Sequence, residues 1–260
     1  MTNVLVTGGK GFIGRHLVEE LNKRNIFPVI VDLVDGNDIR TYDFKELKFD
    51  TIFHLAARRS VPDSFKDPAE YFSTNVWGTY RLVSLFPDAK FINISSSSAE
   101  TLLSPYAVSK YLSEEFCRLH KNLVNLRLFN VFGEGQTSDN VIPNMIRKIL
   151  EYEPVVICGD GKQARDFTYV KDVVKEIIWH GEDTVPNSKY DIDYYDVGYN
   201  YATSVNSLFT MIASYFDYGL EPVYQEKRKG DFDLSIAKDK LHIQPVGFWD
   251  GLKNTMEWWK

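Results

Sequence analysis

The chain has 260 residues, 44% of them apolar and 25% charged, with a formal net charge of −6. That length and balance suit a globular protein of one large domain or two interlocked ones, and the acidic sum without a long basic run excludes nucleic acid and anionic membrane as main partners. No stretch approaches the roughly 20 apolar residues of a membrane span, and the two cysteines, Cys117 and Cys158, are too scattered for a disulfide scaffold.

In chain order, Val4–Thr7 is a short apolar run, read as a buried strand. It opens the chain almost at once, so no signal peptide is expected and the cytoplasm is the expected compartment. Gly8, Gly11 and Gly14 follow in a G-x-x-G-x-x-G spacing, with Phe12 and Ile13 between them, and Arg15–Leu21 shows helical periodicity. A strand, a glycine turn and a helix in that order let the backbone approach a pyrophosphate at the helix N-terminus. The second strand, Pro28–Val31, ends at Asp32. A carboxylate there can take both ribose hydroxyls and repels a 2′-phosphate, which favours NAD over NADP. The plain alternative is an aspartate that only starts a turn.

Thr51–Ala57 reads as a further buried strand that ends in small residues. His54, amid apolar neighbours, is expected to be a satisfied structural histidine. The other histidines, His16, His120, His180 and His242, show no metal-ligand spacing and no carboxylate grouping, so no metal site is proposed. A long helix is predicted to begin at Ser64–Pro68 and continue through Tyr71, Asn75, Gly78 and Thr79. Lys90–Ile94 is the next strand and delivers Ser95, Ser96, Ser97 and Ser98 to its C-terminal edge, where ligands bind in open α/β sheets. Val124–Val131 is read as another strand, and the alternation of strands and helices predicts a doubly wound parallel sheet.

Between those last two strands stands Tyr106-Ala107-Val108-Ser109-Lys110. In a helix, a spacing of four stacks tyrosine and lysine on one face. A phenol titrates near pH 10, and an adjacent ammonium lowers that value and makes it a usable general base. The plain alternative is a solvated helix face; the glycine turn upstream and the serine strand before it favour the chemical reading.

Beyond Gly133–Gln136 the rhythm breaks. Val141–Leu150 is read as a helix, Val155–Cys158 as a strand, and Gly159–Val173 as a turn, strand and helix start. Gly181–Asn200 is rich in Asp, Tyr and turn residues and yields no element. Val205–Tyr218 and Gly251–Trp258 are read as helices, with Phe248 and Trp249 before the last as a core-packing pair. The absence of a flexible linker predicts a small C-terminal cap closing over the sheet.

These residues together resemble the extended short-chain dehydrogenase/reductases that act on nucleotide sugars. The resemblance runs nearly end to end: Thr7–Gly14, His54–Ala57, Asp67-Pro68 with Asn75–Thr79, the serine strand, Tyr106–Lys110, Leu126–Gly133, Arg165–Val170 with Asp172-Val173, and Arg228–Asp231. It implies a Rossmann-like NAD-binding domain over residues 1–130 with roughly 165–200, and a smaller substrate-binding domain over 131–164 and 201–260. It implies Tyr106 as catalytic base, Lys110 as its partner on the nicotinamide ribose, and Ser96 as the hydroxyl on the reacting sugar oxygen, with Ser95 and Ser97 as rival registers. Gly8, Gly11, Phe12, Ile13, Gly14, Asp32, Asp38, Ile39, Leu55, Ala56, Ala57, Arg59, Asn75, Ser95 and Phe129 are then the expected contacts of NAD. Asn130, Arg165 and Arg228 resemble the family's diphosphate clamp, suited by arginine's planar fork, and Ser97 and Ser235 are expected to line the sugar pocket. A homodimer built from the helices of Asn75 and Tyr106 is also implied.

Two departures shape the expected activity. Dehydratases of the family carry an Asp-Glu pair after the catalytic hydroxyl, whereas this chain has Ser97-Ser98. The loop from Ser98 to Tyr106 is short, and Glu100 stands where the family usually has an aromatic residue. The expected function is therefore an NAD-dependent 4-epimerase of a UDP-sugar, working through a 4-keto intermediate. A reductase, dehydratase or decarboxylase of the same family, and a non-catalytic dinucleotide-binding regulator, are the alternatives.

Overall fold

The computed structural model describes residues 1–182, 194–227 and 233–260. In chain order its first elements are β1 (Val4–Thr7), α1 (Phe12–Lys23), β2 (Val29–Val31), β3 (Thr51–His54), α2 (Val61–Ser64), α3 (Pro68–Tyr71), α4 (Gly78–Leu85), β4 (Lys90–Ser96), α5 (Pro105–Cys117) and β5 (Leu123–Leu128). There follow β6 (Val131–Phe132), α6 (Val141–Leu150), β7 (Val156–Cys158), β8 (Ala164–Arg165), β9 (Thr168–Tyr169), α7 (Val170–Gly181), β10 (Tyr195–Val197), β11 (Thr203–Ser204), α8 (Val205–Tyr215), β12 (Val223–Gln225), β13 (Leu234–Ser235) and α9 (Phe248–Trp259). The chain divides into two units, Met1–Leu128 with Val174–Val197, and Phe129–Val173 with Gly198–Lys260.

The first unit holds a six-stranded sheet in the order β10-β5-β4-β3-β1-β2, with every pair parallel. Its inner strands β1 and β3 are buried throughout, as parallel strands covered on both faces must be. The chain reverses its direction of travel across the sheet between β1 and β3, and that switch opens a crevice at the strands' C-terminal ends. Leu5, Val31, Ile52, Leu82 and Phe91 form the core here, with Phe44, Phe86 and Cys117 packed into it. At about 1.5–3 kcal/mol per buried side chain, this cluster outweighs exposed i,i+4 pairs such as Lys23–Glu19, worth about 0.3–0.5 kcal/mol each.

The second unit contains the three-stranded sheet β11-β8-β13, the pairs β12-β7 and β6-β9, and helices α6, α8 and α9. Buried Asp166 accepts backbone N–H groups of Tyr199, Asn200 and Ala237 at 3.0, 2.8 and 3.2 Å. Asp172 accepts the Tyr199 hydroxyl at 2.6 Å and the N–H groups of Val246 and Gly247 at 2.8 and 3.0 Å. These two acids of the Arg165–Val173 run thus secure distant segments of the unit.

Several expectations are corrected. The long helix does not run on from Ser64: α2 is a separate turn, and the chain restarts at Pro68 with the Asp67 side chain accepting the Glu70 N–H at 3.1 Å. A residue before proline resists the helical conformation, and Asp67 sits at φ −138°, ψ 73°. Residues Phe72–Trp77 form a wider π turn before α4. The final helix begins at Phe248 rather than Gly251; Gly251 lies inside it because the Tyr169 ring would be 2.6 Å from any Cβ there. Phe248 packs against Phe132 and Phe167, but Trp249 is half exposed, so the pair is not jointly core. The run from 181 to 200 yields β10, the edge strand beside β5, although residues 183–193 lie outside the described ones. His180 has a carboxylate neighbour after all, Glu176, one helical turn away at 3.3 Å.

Candidate active site

β1 ends at Thr7 and the chain turns sharply at Gly8, where φ is +71°. A Cβ there would lie 2.7 Å from the Ala56 nitrogen, so the segment Leu55–Ala57 after β3 passes directly against the turn. At Gly14 a Cβ would lie 2.1 Å from the Gly8 carbonyl oxygen, which is how α1 packs onto the loop. α1 begins after Gly11 with no side-chain cap and no acid in its first turn. Its opening N–H groups, those of Phe12 and Ile13, and the positive end of its dipole can therefore serve an anion.

Asp32 follows β2 and is buried. Its two carboxylate oxygens accept the N–H of Val34 at 2.9 Å and of Lys10 at 2.8 Å, tying the strand end to the glycine loop. Asp38 pairs with Arg40 at 2.6 Å, and the guanidinium holds the Asp38 carboxyl below its ordinary range. Ile39 is buried, with its carbonyl accepting from Arg81 at 2.7 Å. His54 is the structural residue expected: its ring nitrogens meet the hydroxyls of Thr7 and Thr79 at 2.7 and 2.8 Å, and burial pushes its pKa down to about 3.

Asn75 lies in the π turn and is almost wholly buried. Its side chain accepts the Arg58 N–H at 2.7 Å and donates to the Arg58 carbonyl at 3.0 Å and the Ser109 hydroxyl at 2.9 Å. The segment around Arg59 is further held by the Tyr71 hydroxyl, which donates to the carbonyls of Arg59 and Ser60. The Tyr71 ring meets the Tyr106 ring edge-on, with centroids 6.2 Å apart.

Tyr106 enters in the first turn of α5, whose N-cap Ser104 accepts the Ala107 N–H at 3.1 Å, with Pro105 preset for a helix start. The Ser96 side chain lies close enough to the Tyr106 phenol to oppose the rise that burial imposes on it. Ser95 donates to Glu114 and is buried, and Ser97 is buried in the turn that follows; of the three serines, Ser96 is the one whose side chain bears on the phenol. Lys110 lies one turn on, its Nζ donating to the Ile94 carbonyl at 2.6 Å, and burial lowers its pKa to about 8. The lowered phenol expected from Lys110 is not what the geometry produces. Desolvation pushes the Tyr106 phenol above its usual value, and the groups that oppose this are Ser96 and the charge of Arg59, because the Lys110 ammonium is turned onto the strand carbonyl.

In the second unit Phe129 is buried and Asn130 is exposed, its carbonyl accepting the Thr168 N–H at 3.3 Å. Arg165 and Ser235 are paired across the parallel strands β8 and β13, and Arg165 donates to the Ala164 carbonyl at 2.9 Å. Arg228 lies outside the described residues. What the sequence reading missed is the buried ion pair of Glu114 with Arg127, 2.7 Å apart behind Lys110. The signal was available: Tyr106, Lys110 and Glu114 are spaced by fours along one helix.

The sequence pattern of the NAD dependent epimerase/dehydratase family matches residues 4–193. A UDP-glucuronate 4-epimerase from Thermodesulfobacterium geofontis is 29% identical, over 94% of this chain and 82% of its own. Among solved structures, MoeE5 in complex with UDP-glucose and NAD is 32% identical with a TM-score of 0.86, covering 98% of each chain. A UDP-N-acetylglucosamine 4-epimerase from Methanobrevibacter ruminantium, in complex with UDP-N-acetylmuramic acid, is 30% identical with a TM-score of 0.86, covering 99% of this chain and 97% of its own. The residues of the first unit fit NAD: an uncapped helix start beside a glycine turn suits its pyrophosphate, and the Asp32 carboxylate suits an unphosphorylated ribose.

Proposed function

The chain belongs to the NAD-dependent epimerase/dehydratase family, and from that premise we propose that it is a 4-epimerase of a UDP-linked sugar. The observation that carries the proposal is the Ser96 side chain beside the Tyr106 phenol, with Lys110 one turn along α5 and Ser97-Ser98, not carboxylates, following Ser96. One hydroxyl–phenol pair can remove a proton from a sugar hydroxyl, and epimerisation at C4 requires no second base.

In this reading Tyr106, as phenolate, takes the proton of the sugar 4-hydroxyl while Ser96 holds the same oxygen. When bound, NAD would supply the hydride chemistry at C4, and its positive charge in the oxidised state would favour the phenolate that burial alone disfavours. Once the 4-keto sugar has turned over and regained its C4 hydrogen on the opposite face, Tyr106 would give the proton back, so the net reaction would consume nothing. Lys110 holds the nicotinamide ribose. Gly8, Gly11, Phe12, Ile13 and Gly14 serve the pyrophosphate, Asp32, Asp38 and Ile39 the adenosine half, and Leu55, Ala56, Ala57, Arg59, Asn75, Ser95 and Phe129 lie along the cofactor. Asn130, Arg165 and Arg228 clamp the substrate diphosphate, while Ser97 and the small Ser235 border the sugar and leave room for an N-acetyl group. The first unit is thus the cofactor domain and the second the substrate domain.

Exposed Trp77, Tyr80 and Val108 on the helices of Asn75 and Tyr106 support a homodimer through those helices, and a cytoplasmic setting accords with two free cysteines. Incubation with NAD and UDP-glucose, UDP-N-acetylglucosamine or their uronic acids, read by NMR, tests the reaction. The C4 epimer without net NADH supports it; net NADH, released CO2 or a dehydrated product without epimer rejects it. A Tyr106→Phe variant that keeps bound NAD and loses turnover separates an enzyme from a regulator.

A further inference from the structure

Glu114 is a buried carboxylate to which the reaction above gives no task, and it sits four residues beyond Lys110 on the same helix. Its Oε1 accepts from the Ser95 hydroxyl at 2.5 Å and from Arg127 Nε at 3.0 Å, and its Oε2 accepts from Arg127 Nη2 at 2.7 Å. Ser95 and Arg127 face each other across β4 and β5. One side chain therefore joins the helix that carries Tyr106 and Lys110 to the strand end that carries Ser96. A buried pair of this kind brings little net stability, because desolvation of both ions offsets their attraction. Its place beside a buried lysine points to another role.

We propose that Glu114 is a positioning residue, clamping α5 to the ends of β4 and β5 so that Tyr106 meets Ser96, and retaining the cation on Lys110 by its own negative charge. The proposal rests on the catalytic reading of Tyr106 and Lys110. The charged and titratable groups facing Lys110 are few. Tyr106, Glu114 and Cys117 stand on its own helix, and His54 comes from β3. Arg127, from β5, lies behind Glu114. Burial keeps the His54 ring neutral and pushes the Cys117 thiol up, so neither offers Lys110 a counter-charge, and Glu114, ion-paired with Arg127, is the carboxylate beside it. Desolvation drives the Lys110 ammonium to release its proton, and Glu114 acts in the opposite sense.

The test is the alkaline limb of kcat in the NAD-loaded protein. Glu114→Gln removes the charge but leaves Arg127 unpaired, so the Glu114→Gln/Arg127→Gln double variant, free of any stranded ion, is measured beside it. In both, the limb is expected to move down by about one pH unit, giving roughly a fivefold loss of kcat at about pH 8, a loss of about twofold at about pH 7 from the same shift, and a lower kcat at all pH values where the clamp is gone. Glu114→Asp, which keeps the charge, is expected to restore the limb. A folded double variant whose limb is unmoved, or an Asp variant displaced as far as Gln, overturns the proposal. Should the double variant not fold, the 15N titration of the Lys110 ζ-nitrogen in wild type and in Glu114→Gln decides: a lower midpoint in Glu114→Gln supports the proposal and an equal one overturns it. Absence of turnover in the wild type counts against the epimerase reading alone, and the ζ-nitrogen titration then judges Glu114 by itself.

Discussion

Replacing Ser96 by alanine isolates the contact on which the chemistry turns. The Ser96 hydroxyl lies beside the Tyr106 phenol, where it can donate to a phenolate, and also accepts the Ser98 N–H at 3.2 Å. The second bond is long and caps only a short turn, so its loss should cost about 1 kcal/mol of local stability or less. The first acquires a charged partner whenever the phenolate forms, and such a bond is worth about 1.5–3 kcal/mol. Since about 1.4 kcal/mol is a factor of ten in rate, Ser96→Ala should lower kcat roughly ten- to hundredfold while the melting temperature and NAD binding stay near wild type. Ser95→Ala is the control on the same strand. Its hydroxyl serves the Glu114 carboxylate rather than the phenol, so the expected effect is a loss of about 1.5–3 kcal/mol of stability, seen as a lower melting temperature, with a smaller loss of kcat than in Ser96→Ala. Steady-state kinetics with UDP-glucose or UDP-N-acetylglucosamine, beside thermal melts, supplies both numbers. Full activity in Ser96→Ala, or an equal loss in Ser95→Ala or Ser97→Ala, would refute the assignment.

Acid stability should carry the signature of His54, whose pKa is about 3 in the fold against an ordinary 6.5. The unfolded chain takes up that proton first, so the stability this residue contributes is present above pH 6.5 and is lost as pH falls toward 3, about 2 kcal/mol by about pH 5. Urea unfolding at both acidic and neutral pH should show wild type losing that much more than His54→Asn; equal losses would contradict it. Trp77→Glu with Tyr80→Glu places charge on the exposed face of the Asn75 helix and should turn a dimer into a monomer by light scattering, whereas an unchanged mass would remove that face as the interface. Ser235→Tyr fills the position opposite Arg165 and should reduce turnover of N-acetylated relative to plain sugar by about tenfold or more; an unchanged ratio removes Ser235 from the pocket.

What the sequence reveals and what it conceals follow from the range of the interactions. The glycine turn, Asp32 and the Tyr106–Lys110 pair are legible because each depends on neighbours within a turn or a strand. The strand β10 is not, since its three residues gain their place only by pairing with Leu126–Leu128 of β5, far away in the chain. In the sequence Trp249 reads as core beside Phe248, yet helical geometry points adjacent residues in different directions, and Phe248 is the one that meets Phe132 and Phe167. The Tyr106–Lys110 spacing located both residues but not where the ammonium points, because the Ile94 carbonyl competes for it. The Glu114–Arg127 clamp likewise required the register between β4 and β5 to be seen.

The central claim is that hydrogen leaves the sugar at C4 and comes back to the same carbon from the other side. A UDP-sugar carrying deuterium at C4, turned over by the NAD-loaded protein in ordinary water, tests this directly by NMR of the epimer. The account predicts that the product keeps its deuterium at C4. Replacement of that deuterium by solvent hydrogen, or inversion at a different carbon, would contradict it.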